Sequence, residues 1–254
     1  MGRAAQSILW RAIAFFVVLE AILVPAVLYW PDFMKNFASL REMLPIPVLR
    51  QAADSIAAGG AFAYVAGQHF FKGCNTLGTA AAVLMAVGAV AGEAQRGTLE
   101  IWLARPLSRR RILSERWLQG ALATVVPVFL STLTIPWLLE QVDVQCGYTP
   151  LMLSALHQNL LLLAIYGIAF LFSTLARSPL GIAFVLLFLT ILQFAIYMVE
   201  RVTHWSLFRL TDIERFMWIQ KHGALELRIA GPLVAVIVAT YVASLVAFER
   251  RTPS

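Results

Sequence analysis

Few residues in this sequence have the types and spacing that chemistry requires. Glu20 stands inside an otherwise apolar run, where a carboxylate is costly and marks a functional contact by default. It would face a polar path or a seam between copies. Otherwise it is protonated or satisfied by a neighbour at similar depth such as Asn75, Thr76 or Thr79. His157, Gln158 and Asn159 are consecutive in a second apolar run, and Gln193 lies deep in a third. Together with Glu20 and Asn75 they form a candidate intramembrane polar site, although such residues more often make interhelical hydrogen bonds. His69, His204 and His222 stand apart, and no His-x-x-x-His spacing or other metal motif occurs. Asp212 and Glu214 read as too close to an aqueous edge for acid–base work. Ser131 and Ser173 have no evident activating base. Cys74 is expected in a membrane helix and Cys146 in an outer loop, with no disulfide framework implied, although a bond between them stays open. A phosphate-cradling Gly-x-x-x-x-Gly-Lys-Ser/Thr run is absent, so this sequence binds neither ATP nor another cofactor by that route.

The elements that would carry these residues follow from composition. The 254 residues are 60% hydrophobic and only 13% charged. A soluble domain carries about 25% charged residues, so lipid must cover much of this exterior. The expectation is an all-α, polytopic membrane bundle forming a single transmembrane domain over 1–254. A span needs about 20 mostly apolar residues, and about six such runs occur, near 8–29, 70–91, 118–139, 151–175, 180–199 and 229–248. Continuous runs without period-two alternation argue for helices and against a membrane barrel. The second is the least regular, because His69, Lys72 and Asn75 intrude at its outer end. The first lacks a small-residue cleavage site and reads as a retained helix.

Charge sets the orientation. With both termini cytoplasmic, the inner segments carry eleven of the basic residues and four of the acids, while the outer ones balance at nine and nine. That is the positive-inside pattern of an inner, plasma-type membrane. The net charge of +6 is therefore a topology signal, not a nucleic-acid footprint. Tyr29, Trp30, Phe33, Trp137 and Tyr148 would mark outer interfaces, and Trp10, Trp102 and Trp117 the inner one, unless they fill gaps between helices. Two long outer segments, 32–68 and 200–228, show helical spacing of apolar residues. They read as interfacial helices, the first broken at Pro45 and Pro47.

The inner loop 92–112 carries the most information. Gly97 lets the chain bend sharply. Thr98 is a cap for a short helix in which Leu99, Ile101, Trp102 and Leu103 form an apolar surface beside Glu100. Pro106 ends that helix, and Ser108 caps the next one, which begins with Arg109, Arg110 and Arg111.

Glu93 followed by Gly97-Thr98-Leu99-Glu100, then Arg105-Pro106-Leu107-Ser108-Arg109, closely resembles the loop between the second and third helices of ABC-2-type permeases. The resemblance continues in the inner segment 171–178 and the terminal 248–251. In that family the loop forms a coupling helix that docks into a groove of a cytoplasmic ATPase. The resemblance implies that Glu93, Gly97, Thr98, Leu99, Glu100, Trp102, Arg105, Pro106 and Arg109 serve that docking. It implies two separate ATPase subunits, which supply ATP and Mg²⁺, and a second permease copy in a homodimer. It also implies ATP-driven export of a substrate, with no enzymatic activity in the chain itself. Force transmission to an outer or periplasmic partner is an alternative that the long outer segments fit. A proton-coupled carrier using Glu20 is a second. An intramembrane hydrolase is disfavoured, since no nucleophile has a partner.

Overall fold

The structure is a computed structural model that describes residues 3–99, 107–176 and 178–250. Most of the described residues are helical, and none lies in a strand. In chain order the helices are α1 (Arg3–Leu28), α2 (Trp30–Lys35), α3 (Phe37–Met43), α4 (Pro47–Val65), α5 (Thr79–Ala89), α6 (Ala91–Gln95), α7 (Arg109–Glu140), α8 (Tyr148–Leu175), α9 (Pro179–Met198), α10 (Ile213–His222) and α11 (Leu227–Glu249). A π-helical stretch, Ala66–Gly78, joins α4 to α5 without interruption.

Six helical runs among the described residues are long and apolar enough to cross a membrane: Gln6–Leu28, Pro47–Ala89, Arg109–Glu140, Tyr148–Leu175, Pro179–Met198 and Leu227–Glu249. Four match the expected spans to within three residues at either end, and the third begins nine residues earlier than expected, at Arg109. The second departs from the sequence reading, which starts it at Phe70. Its helix reaches back to Pro47 and bends at Gly60, which adopts φ +63° and ψ −150°. Only glycine takes that conformation without strain. The outer segment 32–68 is therefore not all interfacial, since its last residues belong to the spanning helix. Residues 62–67 are buried.

Polar residues enter this span because partners wait for them. His69 lies 3.3 Å from both Ser131 Oγ and Thr132 Oγ1 on α7. Asn75 is also buried and hydrogen-bonded. π-Helical backbone is rare and recurs where side chains must be placed off the regular helical register.

α5 and α8 pack at the centre, where Phe70, Leu151, Tyr166 and Phe170 are fully buried. α1, α9 and α11 flank them and leave large apolar side chains outward, among them Val17, Phe184, Phe188, Ile191 and Val238. Such an exterior suits hydrocarbon and not water.

Two aromatic assignments change. Trp30 is buried on Phe33 and Tyr64, with ring centroids 6.1 and 5.0 Å apart. Trp117 sits between Tyr166 and Tyr241. Both fill gaps between helices. Trp10, Trp137 and Tyr148 remain exposed.

The outer segment 200–228 also differs from the interfacial reading. It folds into two short 3₁₀ turns, Thr203–Trp205 and Leu207–Thr211, and then α10. Its apolar face packs inward: Phe216 is 5.0 Å from Phe70, ring to ring, and Ile213 and Ile219 are buried. The hydrophobic periodicity was satisfied by the bundle rather than by lipid.

Candidate functional site

Val90 leaves the helical path, and α6 starts a new short turn at the inner end of the second span. Ser173 near the end of α8 holds this break. Its hydroxyl accepts the Ala91 amide at 3.0 Å and donates to the Val87 carbonyl at 3.2 Å. A serine without a catalytic partner is thus a structural clamp.

From α6 the chain turns on Gly97, whose φ of +69° lies in the left-handed region. Glu93 organises the turn. Its carboxylate accepts Arg96 Nη2 at 2.6 Å and also the Thr98 hydroxyl. Its carbonyl accepts the Thr98 amide at 3.1 Å and the Thr98 hydroxyl at 3.2 Å. Thr98 therefore bonds backwards to Glu93, a role that the reading of it as a forward cap missed. Leu99 is buried. Glu100, Trp102, Arg105 and Pro106 fall outside the described residues, as does the apolar surface expected there.

The chain returns through Ser108, which caps α7 by accepting the Arg111 amide at 3.3 Å. The start of α7 is tied to the end of α11. Arg109 Nη1 donates to the Glu249 carbonyl at 3.0 Å, and Arg110 pairs with the Glu249 carboxylate. One turn on, Ser114 lies 2.7 Å from the Tyr241 hydroxyl. Deeper still, Tyr166 of α8 donates to the Trp117 carbonyl at 2.9 Å, over Gly120. Both ends of the loop are thus fixed to the bundle, one to α8 and the other to α11.

The intramembrane polar residues converge only in part: Asn75 and Gln158 meet, while Glu20 and Gln193 find other partners. Glu20 accepts a hydrogen bond from Thr134 of α7 at 3.0 Å. Its partner is therefore not Asn75, Thr76 or Thr79, because α1 packs against α7 at this level. Asn75 instead accepts from Gln158 Nε2 at 2.8 Å and from Thr211 Oγ1 at 3.0 Å. Gln193 accepts the Leu207 amide at 2.8 Å through its side chain, and its carbonyl accepts Ser206 Oγ at 2.8 Å. His157 Nε2 lies 2.7 Å from the Leu210 carbonyl. Asn75, His157 and Gln193 thus hold the inserted segment 206–211, and among the described residues both amide atoms of the buried Asn159 lack a partner.

Asp212 also departs from the sequence reading. It is buried, not at a watery edge. It caps α10 by accepting the Arg215 amide at 3.1 Å, and Arg209 Nη1 lies 3.9 Å away. Burial pushes its carboxyl up to about 6. Cys74 and Cys146 are both free thiols.

A comparison with curated proteins returned no match. The family described as ABC-2 family transporter protein matches residues 5–252, nearly the whole chain, over the same six-span bundle. The chain belongs to the ABC-2 transporter family. It is a multi-pass membrane protein, and membership implies the permease part of an ABC transporter. The loop between the second and third spans is rooted in α5–α6 and in α7.

Proposed function

We propose that this chain is the permease subunit of an ABC exporter, and that loop 92–112 docks a separate cytoplasmic ATPase. Two copies of the chain would form a homodimer with two ATPase subunits, which bind the ATP and Mg²⁺. Residues 1–254 would act as one transmembrane domain in the inner membrane, with both termini cytoplasmic.

The anchoring of both loop ends carries this reading. A push on the loop meets the Ser173 clamp on one side and the Glu249 pair on the other. It therefore shifts α5, α7, α8 and α11 together instead of bending a free loop. Motion between inward- and outward-open states needs a coupling of this kind, with the ATPase binding the two states unequally.

The test is co-purification of the detergent-solubilised protein with a cytoplasmic ATPase, run beside the Glu100→Lys variant. The expected result is an ATPase that binds the wild type and is lost in the variant, with equal amounts of both proteins in the membrane. Normal ATP-driven activity in Glu100→Lys would show that the loop is not the dock.

A further inference from the structure

Between α1, the inner half of α5 and α6 lies a cleft of about 570 Å³. Its walls are apolar: Ala14 and Phe15 from α1, then Ala81, Leu84 and Met85 from α5. Ala14 and Leu84 are exposed, so the cleft opens sideways on the outer surface of the described bundle. At its inner end the lining turns polar, with Arg11, Gln95 and Arg96.

Arg11 is the unusual member. It sits within the first spanning helix, yet among the described residues it makes no hydrogen bond or ion pair. Its guanidinium lies over Gly88, where an added Cβ would come within 2.9 Å of Nη1. The missing side chain at Gly88 leaves the seat that this cation occupies. Arg96 is exposed, and among the described residues its ion pair is the local one with Glu93. A guanidinium without a partner at the membrane boundary seeks an anion, and phosphate matches its planar fork best. From Gly88 to Ala81 the apolar wall climbs about 10 Å towards the membrane centre, at about 1.5 Å per residue. That length suits the first carbons of an acyl chain.

We propose that this cleft binds the phosphate headgroup of an anionic membrane lipid. Its phosphate sits against Arg11 and Arg96, and its acyl chains lie along Phe15, Leu84 and Ala81. Charge complementarity selects the occupant, because an apolar slot ending in Arg11, which has no partner among the described residues, with the Glu93-paired Arg96 beside it, fits an anionic amphiphile better than a neutral one. A basic recess at the inner edge of a bundle is a recognised setting for such headgroups. The site does not depend on the ATPase-docking role of the loop, because lipid binding needs no ATPase.

The experiment is native mass spectrometry of the purified full chain. Phosphatidylglycerol or phosphatidylcholine of matched chains is added, with inorganic phosphate in a third arm. The expected result is preferential retention of phosphatidylglycerol, unaffected by millimolar phosphate. Arg11→Gln should weaken it about tenfold, the loss of one charge-assisted contact. Arg11→Lys should restore part of it, while Arg228→Gln on another segment changes nothing. If Arg11→Gln does not fold, Gly88→Leu keeps both charges, fills the seat and should give the same loss. Equal retention of the two lipids, or of phosphatidylglycerol by wild type and Arg11→Gln, would overturn the proposal. Displacement by inorganic phosphate would make this a free-anion site and overturn the lipid assignment. Adducts on monomers alone, absent from dimers, would mean that a second copy closes the cleft, and would also overturn it.

Discussion

Ser173 accepts the amide of Ala91 at 3.0 Å, linking the inner end of α8 to the first residue of α6. Ala91 is buried, and its amide belongs to a helix start with no intrahelical partner. The same hydroxyl reaches the carbonyl of Val87. One side chain therefore supports both segments of a broken helix, just above the loop proposed to meet the ATPase.

Ser173→Ala leaves that amide buried and unpaired, which costs about 1–3 kcal/mol. The expected outcome is a lower melting temperature in detergent together with weaker stimulation of ATP hydrolysis by substrate. Ser173→Thr keeps the hydroxyl and should retain more of both. If Ser173→Ala melted and coupled as the wild type does, the clamp would have no mechanical role.

Gly97 gives a more local prediction. A side chain at φ +69° is strained wherever it points, by about 1–2 kcal/mol. No atom lies within 4 Å of the added Cβ, so the strain is conformational and not steric. Gly97→Ala should insert normally and keep its bundle stability. It should lose ATPase co-purification, because the turn between Glu93 and Thr98 is re-formed. Gly97→Asn tolerates the left-handed region better and should fall between the two.

Gly120 is a packing test of the contact between α7 and α8. An added Cβ would stand 2.3 Å from the Tyr166 hydroxyl, which donates to the Trp117 carbonyl. Gly120→Ala should therefore destabilise the bundle by about 1–3 kcal/mol. Combined with Tyr166→Leu the cost should be less than the sum, because the clash is removed along with the ring. Thermal melting of the four proteins in one detergent measures the coupling, and simple additivity would contradict the packing.

These anchors explain what the sequence could and could not tell. Six spans were legible because a span is a local property, about 20 apolar residues in a row. The Gly97 turn and the Ser108 cap were legible for the same reason. The outer end of the second span was not. His69 and Asn75 look like intrusions until Ser131, Thr132, Gln158 and Thr211 arrive from distant parts of the chain. Glu20 likewise needed Thr134, 114 residues away. Leu210, Ile213 and Phe216 have the period of an amphipathic helix whether lipid or protein covers them. Ser173 and Glu249 lie in inner segments that resemble the family, but nothing local says which groups they hold.

Asp212 predicts a pH dependence at the outer end. Burial raises its folded carboxyl from 3.8 to about 6, with Glu214 adding to the rise and the Arg215 amide, Arg209 and Arg215 opposing it. A group raised in the folded state binds its proton more readily there than when unfolded. Stability from this group is therefore greatest below about 4 and falls as the pH climbs through about 6, by on the order of 2–3 kcal/mol. Asp212→Asn keeps the cap oxygen for the Arg215 amide and removes the titration. Its melting temperature should change less between pH 4 and 7 than that of the wild type, and should equal or exceed it at pH 7. A parallel pH profile for both proteins would rule out Asp212 as the source.

Glu20 separates two transport readings. Its carboxylate accepts from Thr134 at 3.0 Å on the seam of α1 and α7, and it is only half-buried. A glutamine keeps an oxygen that can accept the same bond but cannot carry a proton. If Glu20 is a fastening between two helices, Glu20→Gln should melt within about 0.5 kcal/mol of the wild type, as a replacement that retains its partner. ATP-driven transport should persist, with no change in its dependence on external pH. Glu20→Leu should be worse than Glu20→Gln, since it leaves the Thr134 hydroxyl without that acceptor. A proton-coupled carrier would behave in the opposite way. Its transport would collapse in Glu20→Gln, would follow the proton gradient in the wild type, and would continue after ATP is removed. Transport into proteoliposomes with an imposed pH step, with and without the ATPase and ATP, distinguishes the two.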